Sequence, residues 1–312
     1  MKLSAFTIIK NAQIYDFPIV ESIMSAIDIV DEYVVLAGDS SDDTNRLIEA
    51  IDSPKLKIYY NTWDIDKYSK NGTIYAYQTD KAMRYCTGDW CLYLQSDEAV
   101  HHDSLKTIRE ACEKYLDDHR VEGFVFKYKH FYGDYDHYID ALHFAYPREI
   151  RLVRNIDDIH SWRDAQSFRV IPKFDYEDYC QKEGARKLNC ILLNAYIYHY
   201  GWARHPVAMV GKMKHYASVY GRGDSADNIK AGVDYYEYGN ISTMAQFKGT
   251  HPHSMKKRVR EMSWKKLLRY DGPNPNMKKK FKTKYRIMSF IENKIMGGKI
   301  IGGFKNYNLI SQ

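Results

Sequence analysis

The chain has 312 residues, of which 45% are hydrophobic, enough for one large α/β domain with an appendage or for two small domains. Its net charge of +6 is unevenly distributed, because residues 252–312 hold 16 Lys and Arg against 3 Asp and Glu, whereas residues 1–251 hold 30 against 37. Phosphate contacts require clustered Lys and Arg, so the acidic body argues against a nucleic-acid-binding core.

Strand and helix patterns alternate along the first part of the chain. Runs of β-branched, aromatic and other apolar residues predict strands at 3–10, 32–37, 55–61, 89–95 and 123–132. Apolar residues at helical spacing predict helices between them, at 17–30, 45–51, 73–85 and 104–116. This β-α-β order predicts an α/β fold with a mostly parallel, doubly wound sheet flanked by helices.

Three of the predicted strands end in polar loops. These loops are Lys10-Asn11, Gly38 to Thr44, and Gln95 to Glu98. Ligands of an open parallel sheet bind outside the carboxyl ends of its strands, so the three loops predict one site. Mg²⁺ and Mn²⁺ prefer carboxylate oxygens and accept few protein ligands, which fits Asp97 and Glu98. The alternative for this acidic pair is a solvated helix cap.

In order and spacing, these motifs resemble family 2 glycosyltransferases with the GT-A fold. Lys10-Asn11 is similar to the end of that family's first strand, and VVLAGDSSDDT (34–44) resembles its nucleotide-binding loop. GDWCLYLQSDE (88–98) looks like the strand that bears its DxD-type metal motif. The resemblance implies a GT-A, Rossmann-like catalytic domain over residues 1–215, followed by a helical, basic C-terminal region over residues 216–312.

The resemblance also implies an activity. It is the inverting transfer of a sugar from a UDP- or GDP-linked donor to a glycan or lipid-linked acceptor, with Mn²⁺ or Mg²⁺ as cofactor. The family pattern places Asp39 and Asp42 near the base and ribose, although Asp42 can equally be a helix N-cap. The donor-binding residues expected on this basis are Lys10, Asn11, Asp39, Asp42, Lys70, Gln95 and Ser96.

The sequence departs from the family pattern at two points. Ala37 and Gly38 stand where two acids usually open the nucleotide loop, and Gln95 replaces the first Asp of the metal motif. A neutral carbonyl binds a metal more weakly than a carboxylate, so we expect Asp97 to provide most of the metal contact.

The resemblance implies a second metal ligand late in the domain. GT-A enzymes often use a His there, and NAYIYHYGWARHP (194–206) offers His199 after a strand-like run, with His205 as the weaker candidate. The alternative is a structural His199 that bonds to the backbone. Trp202, in the same segment, is an expected acceptor contact.

An inverting transfer needs a base that takes the proton of the acceptor hydroxyl. The family usually places acceptor-side residues and its catalytic acid between the metal motif and the late His. Asp164 follows Trp162 there, and an indole beside a carboxylate suits a sugar ring and its hydroxyl. Asp164 is therefore the predicted base and Trp162 an acceptor contact, whereas Glu149 and Asp158 remain alternatives for the base.

Two neighbouring histidines, His101 and His102, invite a metal interpretation. Adjacent positions on a helix point about 100° apart and share an ion poorly. We therefore interpret both as surface residues.

The basic tail carries an apolar stripe. In the stretch 254–270, Met255, Val259 and Met262 fall on one helical face among Lys and Arg, and the stretch 277–286 repeats the basic and aromatic pattern. Such a helix can lie on an anionic membrane, as expected of family members that act on lipid-linked acceptors. The alternatives are packing of the stripe on the acidic body and, as a weaker option, nucleic-acid binding; we expect no nucleic-acid partner.

Cysteine content and hydropathy indicate the compartment. The five cysteines are odd in number and lack C-x-x-C spacing, which favours free thiols in a reducing environment. The N-terminal apolar run is too short for a secretory signal, and no 18 apolar residues run together. We expect a cytoplasmic protein that contacts the inner face of the membrane at most peripherally.

Two other functions fit parts of the pattern. A nucleotidyltransferase shares the nucleotide-binding sheet and the need for metal, but it usually begins with a Gly-rich phosphate loop that LSAFTIIKNAQ lacks. An inactive sugar-binding scaffold of the same fold is conceivable because Gln95 replaces a metal-binding acid.

Overall fold

The computed structural model describes residues 1–68, 70–143, 145–220, 234–273, 283–296 and 305–311. Within these ranges the strands are β1 (Leu3–Ile9), β2 (Glu32–Ala37), β3 (Leu56–Tyr60), β4 (Trp90–Tyr93), β5 (Glu98–Val100), β6 (Gly123–Tyr132), β7 (His137–Ile139), β8 (Arg148–Arg154), β9 (Ile159–Trp162), β10 (Ser167–Val170), β11 (Leu188–Trp202), β12 (Ala245–Gln246) and β13 (Tyr307–Leu309).

The α-helices in the same ranges are α1 (Ile19–Ala26), α2 (Thr44–Glu49), α3 (Thr73–Met83), α4 (Leu105–Lys114), α5 (Pro206–Val219), α6 (Lys256–Arg260) and α7 (Thr283–Phe290). Short 3₁₀ turns lie at Lys70–Gly72, His102–Ser104, Ile241–Thr243, His253–Met255 and Lys265–Leu267, and a π-turn at Ile291–Ile295 continues α7. Every strand and helix predicted for the first part of the chain is present, with its ends moved by a few residues at most. None of the helices in the described ranges is long and apolar enough to cross a membrane.

The main sheet has the strand order β3-β2-β1-β4-β8-β6-β11. The ladders β1–β2, β2–β3, β1–β4 and β6–β11 are parallel, and β8 is antiparallel to both of its neighbours. Six of these seven strands therefore run in the same direction. The predicted α/β architecture, a mostly parallel central sheet flanked by helices, is confirmed.

Helices cover both faces of this sheet, and alternate residues of β1 show how. Leu3 and Ala5 belong to one apolar cluster, together with residues of α1 and α4. Phe6 and Ile8 belong to a second cluster, together with residues of α3 and of the β9–β10 hairpin. A parallel strand that is buried on both faces needs a mostly apolar sequence, which is what β1 and β2 provide. Their few polar residues, Ser4, Thr7 and Glu32, are themselves buried.

The C-terminal region is attached to the same sheet. The expected boundary at residue 215 falls inside α5, whereas β12 pairs with β7 and β13 pairs with β11. The region thus contributes short strands as well as helical turns.

The long basic helix expected over residues 254–270 is not formed. Only Lys256–Arg260 is α-helical there, with a separate 3₁₀ turn at Lys265–Leu267. Met255 is fully buried, and Val259 and Met262 pack against the same apolar cluster as Met255 on the body. The stripe therefore packs inward, as the alternative interpretation expected. Of the second basic stretch, residues 277–282 lie outside the described residues.

Candidate functional site

The carboxyl ends of β1 and β4 open into a cavity of about 380 Å³. It is lined by seven of the residues expected from the sequence, which are Lys10, Gln95, Ser96, Asp97, Asp164, His199 and Trp202. Aromatic side chains form much of the remaining wall, namely Tyr15, Phe17, Trp63, Tyr75, Tyr93, Tyr146, Tyr216 and Tyr220. The fold thus brings the predicted donor, metal and base positions together in one place. A polar floor with aromatic walls is the common construction of a small-molecule site.

Asp97 lies at the polar end of this cavity and is 4% exposed. Its Oδ2 accepts a hydrogen bond from Lys212 Nζ at 2.9 Å and one from Arg204 Nη2 at 3.3 Å. Burial alone would raise the pKa of Asp97, but Lys212 and Arg204 hold it below its usual range. The carboxylate therefore stays ionised.

The neighbouring acid, Glu98, has a structural role. Its two oxygens accept hydrogen bonds from Arg151 Nε at 2.8 Å and Arg151 Nη2 at 2.9 Å, and Tyr128 donates to it at 2.9 Å. Both partners of this ion pair are fully buried. Of the two acids that follow β4, only Asp97 lines the cavity.

A hydrogen-bond chain fixes the tautomer of His199. His130 Nε2 lies 2.7 Å from the carbonyl oxygen of Tyr146, which can only accept, so Nε2 of His130 carries the proton. His130 Nδ1, 3.1 Å from His199 Nδ1, must then accept from it. Burial lowers the pKa of His130 to about 4 and that of His199 well below the usual value, so both rings are neutral. Nε2 of His199 is left unprotonated.

The unprotonated Nε2 of His199 and the carboxylate oxygen Oδ1 of Asp97 together suit a divalent cation. His199 Nε2 lies 3.7 Å from Asp97 Oδ1, and neither atom can donate to the other. A carboxylate oxygen and an imidazole nitrogen at this separation would suit a divalent cation such as Mn²⁺. Lys212 and Arg204 donate hydrogen bonds to the other carboxylate oxygen of Asp97, Oδ2. Asp97 and His199 would therefore hold a metal together with phosphate oxygens of a ligand, as Mg²⁺ sites commonly do.

A glycine on β11 allows the close approach of these two side chains. A Cβ added to Gly201 would lie 2.6 Å from His199 Nε2 and 2.9 Å from Asp97 Oδ2, which is closer than atoms can pack. Only a residue without a side chain leaves the ring where it is.

We expect Gly201→Ala to push the His199 ring away from Asp97 and to weaken Mn²⁺ binding by about tenfold or more. Titration calorimetry of Mn²⁺ in the presence of UDP measures this. Gly211→Ala on α5 is the matched control, because a Cβ there would meet only Tyr15, at 3.6 Å. Equal Mn²⁺ affinity in both variants would show that the His199 position does not matter.

Asp164 lies in the turn between β9 and β10 and also lines the cavity. Its neighbours Arg163 and Ala165 both have positive φ, 59° and 58°, which is a strained conformation for residues other than glycine. Tyr220 donates a hydrogen bond to Asp164 Oδ2 at 2.5 Å. The turn is thus held so that this carboxylate faces the cavity.

The two alternative bases are placed elsewhere. Glu149 is 2% exposed and accepts hydrogen bonds from Ser167 at 3.0 Å and from Asn306 at 2.6 Å. Asp158 is exposed immediately before β9, and neither residue lines the cavity. Asp164 is therefore the only one of the three that a bound ligand in the cavity could reach.

At the end of β1, Lys10 and Asp39 form an ion pair at 2.8 Å, and the backbone N–H of Trp63 donates to Asp39 at 3.1 Å. Lys10 and Trp63 line the cavity, whereas Asp39 is 44% exposed at its rim. The indole Nε1 of Trp63 is buried, and no described residue accepts its hydrogen bond.

Asn11 and Asp42 make hydrogen bonds that hold together the loops after β1 and β2. The amide oxygen of Asn11 accepts from the N–H of Ser41 at 2.8 Å, and Asp42 accepts from the N–H groups of Ile14 at 2.8 Å and Thr44 at 3.0 Å. Neither side chain lines the cavity. These contacts give Asp42 a structural role, although the N-cap position of α2 is held by Asp43.

Of the remaining predicted residues, one lines the cavity and the others make structural contacts or are not described. Trp202 lines the cavity, whereas Trp162 is 5% exposed, donates to the carbonyl of Gln181 at 3.3 Å and does not line it. His205, the weaker metal candidate, caps α5 by accepting from Val207 N. The side chain of Lys70 lies outside the described residues.

Sequence reasoning missed the basic partners of Asp97. Lys212 is 4% exposed, and burial lowers its pKa to about 8. Its position on α5 carries a signal, since it follows the buried Met209 by three residues and precedes Tyr216 by four, which places a lysine on the apolar face. Arg204 and His130 carry no comparable signal.

No protein-family model and no curated protein matches the chain. Among solved structures, S. aureus TarS is similar with 17% identity and a TM-score of 0.39, over 74% of this chain and 41% of that chain. TarS 1–349 in complex with UDP-GlcNAc is similar with 15% identity and a TM-score of 0.37, over 74% of this chain and 69% of that chain. Glucosyl-3-phosphoglycerate synthase from Mycobacterium tuberculosis, in complex with Mn²⁺, UDP-glucose and phosphoglyceric acid, is similar with 16% identity and a TM-score of 0.27, over 41% and 43%.

Proposed function

We propose that this chain is a glycosyltransferase of the GT-A type that moves a sugar from a nucleotide-diphosphate donor to an acceptor hydroxyl. The observation that carries the proposal is that one cavity holds both a carboxylate, Asp164, and the cluster of Asp97, Lys212 and His199. Sugar transfer needs a base at the acceptor and positive charge at the leaving diphosphate. The cavity supplies both.

The cluster around Asp97 suits the diphosphate. Lys212 donates to Asp97 and to the carbonyl of Gly201 at 3.0 Å, and its third N–H can reach an anion in the cavity. A Mn²⁺ or Mg²⁺ ion held by Asp97 and His199 would neutralise further charge on the leaving diphosphate. Lys10 and Trp63 then lie on the side of the nucleoside, where aromatic rings can stack on a base.

The transfer step is assigned to Asp164. Its carboxylate takes the proton of the acceptor hydroxyl, and the acceptor oxygen forms a bond to the anomeric carbon. The bond from that carbon to the phosphate oxygen breaks, and the nucleoside diphosphate leaves with the electron pair. Attack from the face opposite the leaving group inverts the anomeric configuration. Trp202 also lines the cavity and offers an apolar surface to an acceptor glycan.

An assay of the purified chain with UDP- and GDP-linked hexoses tests this function. We expect release of the nucleoside diphosphate from at least one donor with Mn²⁺ and its loss with EDTA. Incorporation of a nucleotide into a sugar phosphate, with release of pyrophosphate, would favour the nucleotidyltransferase. Metal-dependent binding of nucleotide without turnover of any donor would favour the inactive scaffold.

We propose that the acceptor is presented at an anionic membrane, to which the chain binds through α7 and the following π-turn. Four large apolar side chains in this segment are strongly exposed, with Ile287 at 57%, Phe290 at 61%, Ile291 at 38% and Ile295 at 73%. The region around them is basic, with 16 Lys and Arg against 3 Asp and Glu in residues 252–312. An apolar face bordered by cations is the pattern of interfacial helices.

We expect the double variant Ile287→Ser, Phe290→Ser to bind vesicles that contain phosphatidylglycerol about tenfold more weakly than the unaltered chain, because it loses the inserted apolar area. Co-sedimentation at matched lipid concentration measures the effect. Val207→Ser, which removes a side chain of similar exposure (55%) from α5, is the control. If the double variant and the control bind vesicles equally, the membrane contact lies elsewhere.

A further inference from the structure

A second cluster of metal-binding side chains lies where β5 passes into α4. It consists of His101, His102 and Asp103, and His253 stacks on it from the C-terminal region. The interpretation of His101 as a surface residue is wrong, because its side chain is buried. His101 is extended, with φ −71° and ψ 137°, and it is 6% exposed, so the pair does not follow helical spacing.

The potential ligand atoms of these residues are close together. His101, His102 and Asp103 each offer one atom, and all three atoms lie within 4.8 Å of one another. His101 Nδ1 is 3.3 Å from Asp103 Oδ2, and His102 Nε2 is 3.6 Å from Asp103 Oδ1. Each carboxylate oxygen of Asp103 therefore lies close to a ring nitrogen of one of the two histidines.

The polar groups of the cluster are only partly satisfied. Both ring nitrogens of His101 have a partner, because Nε2 pairs with Thr250 Oγ1 at 3.0 Å and Nδ1 accepts from the Asp103 backbone N–H at 3.3 Å. Nδ1 of His102, by contrast, is buried and no described residue bonds to it. The rings of His102 and His253 are stacked with centroids 3.6 Å apart. Three imidazoles therefore lie close together where residues 250–253 pack against the connection between β5 and α4.

We infer that His101, His102 and Asp103 bind a divalent transition-metal ion of the Zn²⁺ class. Imidazole nitrogens with one carboxylate form the donor set of three-ligand zinc sites, whose fourth position is open. Hard ions such as Mg²⁺ prefer oxygen ligands and are disfavoured here. Because Thr250 and His253 contact the ligating histidines, the bound ion would hold the C-terminal segment against the body.

This site is separate from the donor cavity. On β11, Tyr198 and His199 are adjacent, so their side chains point to opposite faces of the sheet. His199 lines the donor cavity, whereas Tyr198 lies beside His101 with ring centroids 5.1 Å apart. The two metal sites can therefore be tested independently, and failure of one leaves the other standing.

Titration of Zn²⁺ into the EDTA-treated full chain, without nucleotide, tests the assignment. We expect one ion per chain, an affinity about tenfold weaker or worse in His102→Ala and Asp103→Asn, and no change in His199→Ala. Asp103 is 79% exposed, so its variant reports on metal binding without a folding defect. His119→Ala, at an exposed histidine outside the cluster, is the control.

Three results would overturn the assignment. They are no Zn²⁺ binding by the unaltered chain, equal affinity in the unaltered chain and Asp103→Asn, and loss of Zn²⁺ in His199→Ala alone. The last result would place the ion in the donor cavity.

Discussion

Replacing Asp97 by Asn is expected to abolish the Mn²⁺ dependence of nucleotide binding and to lower the transfer rate by about a hundredfold or more. The amide keeps the shape of the side chain but loses the charge that faces His199 Nε2 across 3.7 Å. Calorimetric titration of UDP with Mn²⁺ and with EDTA measures the first effect, and donor turnover measures the second.

The same substitution is expected to lower stability. Lys212 and Arg204 are buried cations that share Asp97 Oδ2, at 2.9 and 3.3 Å. Removing one partner of a buried ion pair typically costs about 3–5 kcal/mol, because the remaining charge is left uncompensated. Urea unfolding of Asp97→Asn measures this cost. Mn²⁺-enhanced UDP binding by a folded Asp97→Asn protein would show that the metal is held by other residues.

Replacing Asp164 by Asn is expected to reduce kcat by about 10²–10⁴-fold, because the acceptor proton loses its base. The affinity for UDP with Mn²⁺ should stay within about twofold, since Asp164 lies in the β9–β10 turn and Asp97 and Lys212 are unchanged. Steady-state transfer kinetics together with UDP titration separate the two quantities.

Asp158→Asn is the matched control for this variant, because Asp158 is an exposed acid that does not line the cavity. It should transfer at the unaltered rate. The assignment of the base is wrong if Asp164→Asn retains full kcat, and a large loss in Asp158→Asn instead would transfer the role to that residue.

The sequence was sufficient for the sheet and for the gathering of several predicted residues around one cavity. The strand predicted at 32–37 is observed as Glu32–Ala37. The short apolar run at 33–37, bounded by polar turns, is typical of a buried strand. Parallel strands then bring their carboxyl ends to one edge, which is why Lys10, Gln95 and Asp97 line one cavity. These inferences depend only on local periodicity and on one rule of topology.

The electrostatic environment of Asp97 could not be predicted in the same way. Arg204 and Lys212 are far from Asp97 in sequence, and they reach it because β11 ends and α5 begins beside the β4 loop. Likewise, the tautomer of His199 depends on His130 of β6 and on a carbonyl at Tyr146. Such contacts belong to tertiary packing, which a pattern of neighbouring residues does not encode.

Tertiary packing also overrode local helical preference in the tail. Residues 254–270 carry a helical stripe, yet Met255 is buried against the body and Trp264 donates to the carbonyl of Gly133 at 2.8 Å. These anchors hold the chain in short turns rather than in one long helix. The most exposed apolar side chains in the described part of the tail lie instead on α7 and the π-turn, at residues such as Phe290.

A crystal structure of the chain with UDP and Mn²⁺, with anomalous data collected at the manganese edge, tests the central claim most directly. The proposed function predicts an anomalous peak within about 2.0–2.3 Å of Asp97 Oδ1 and His199 Nε2, with the diphosphate beside Lys212 and the uridine towards Lys10 and Trp63. UDP bound outside this cavity, or UDP in the cavity with no manganese at Asp97, would contradict it.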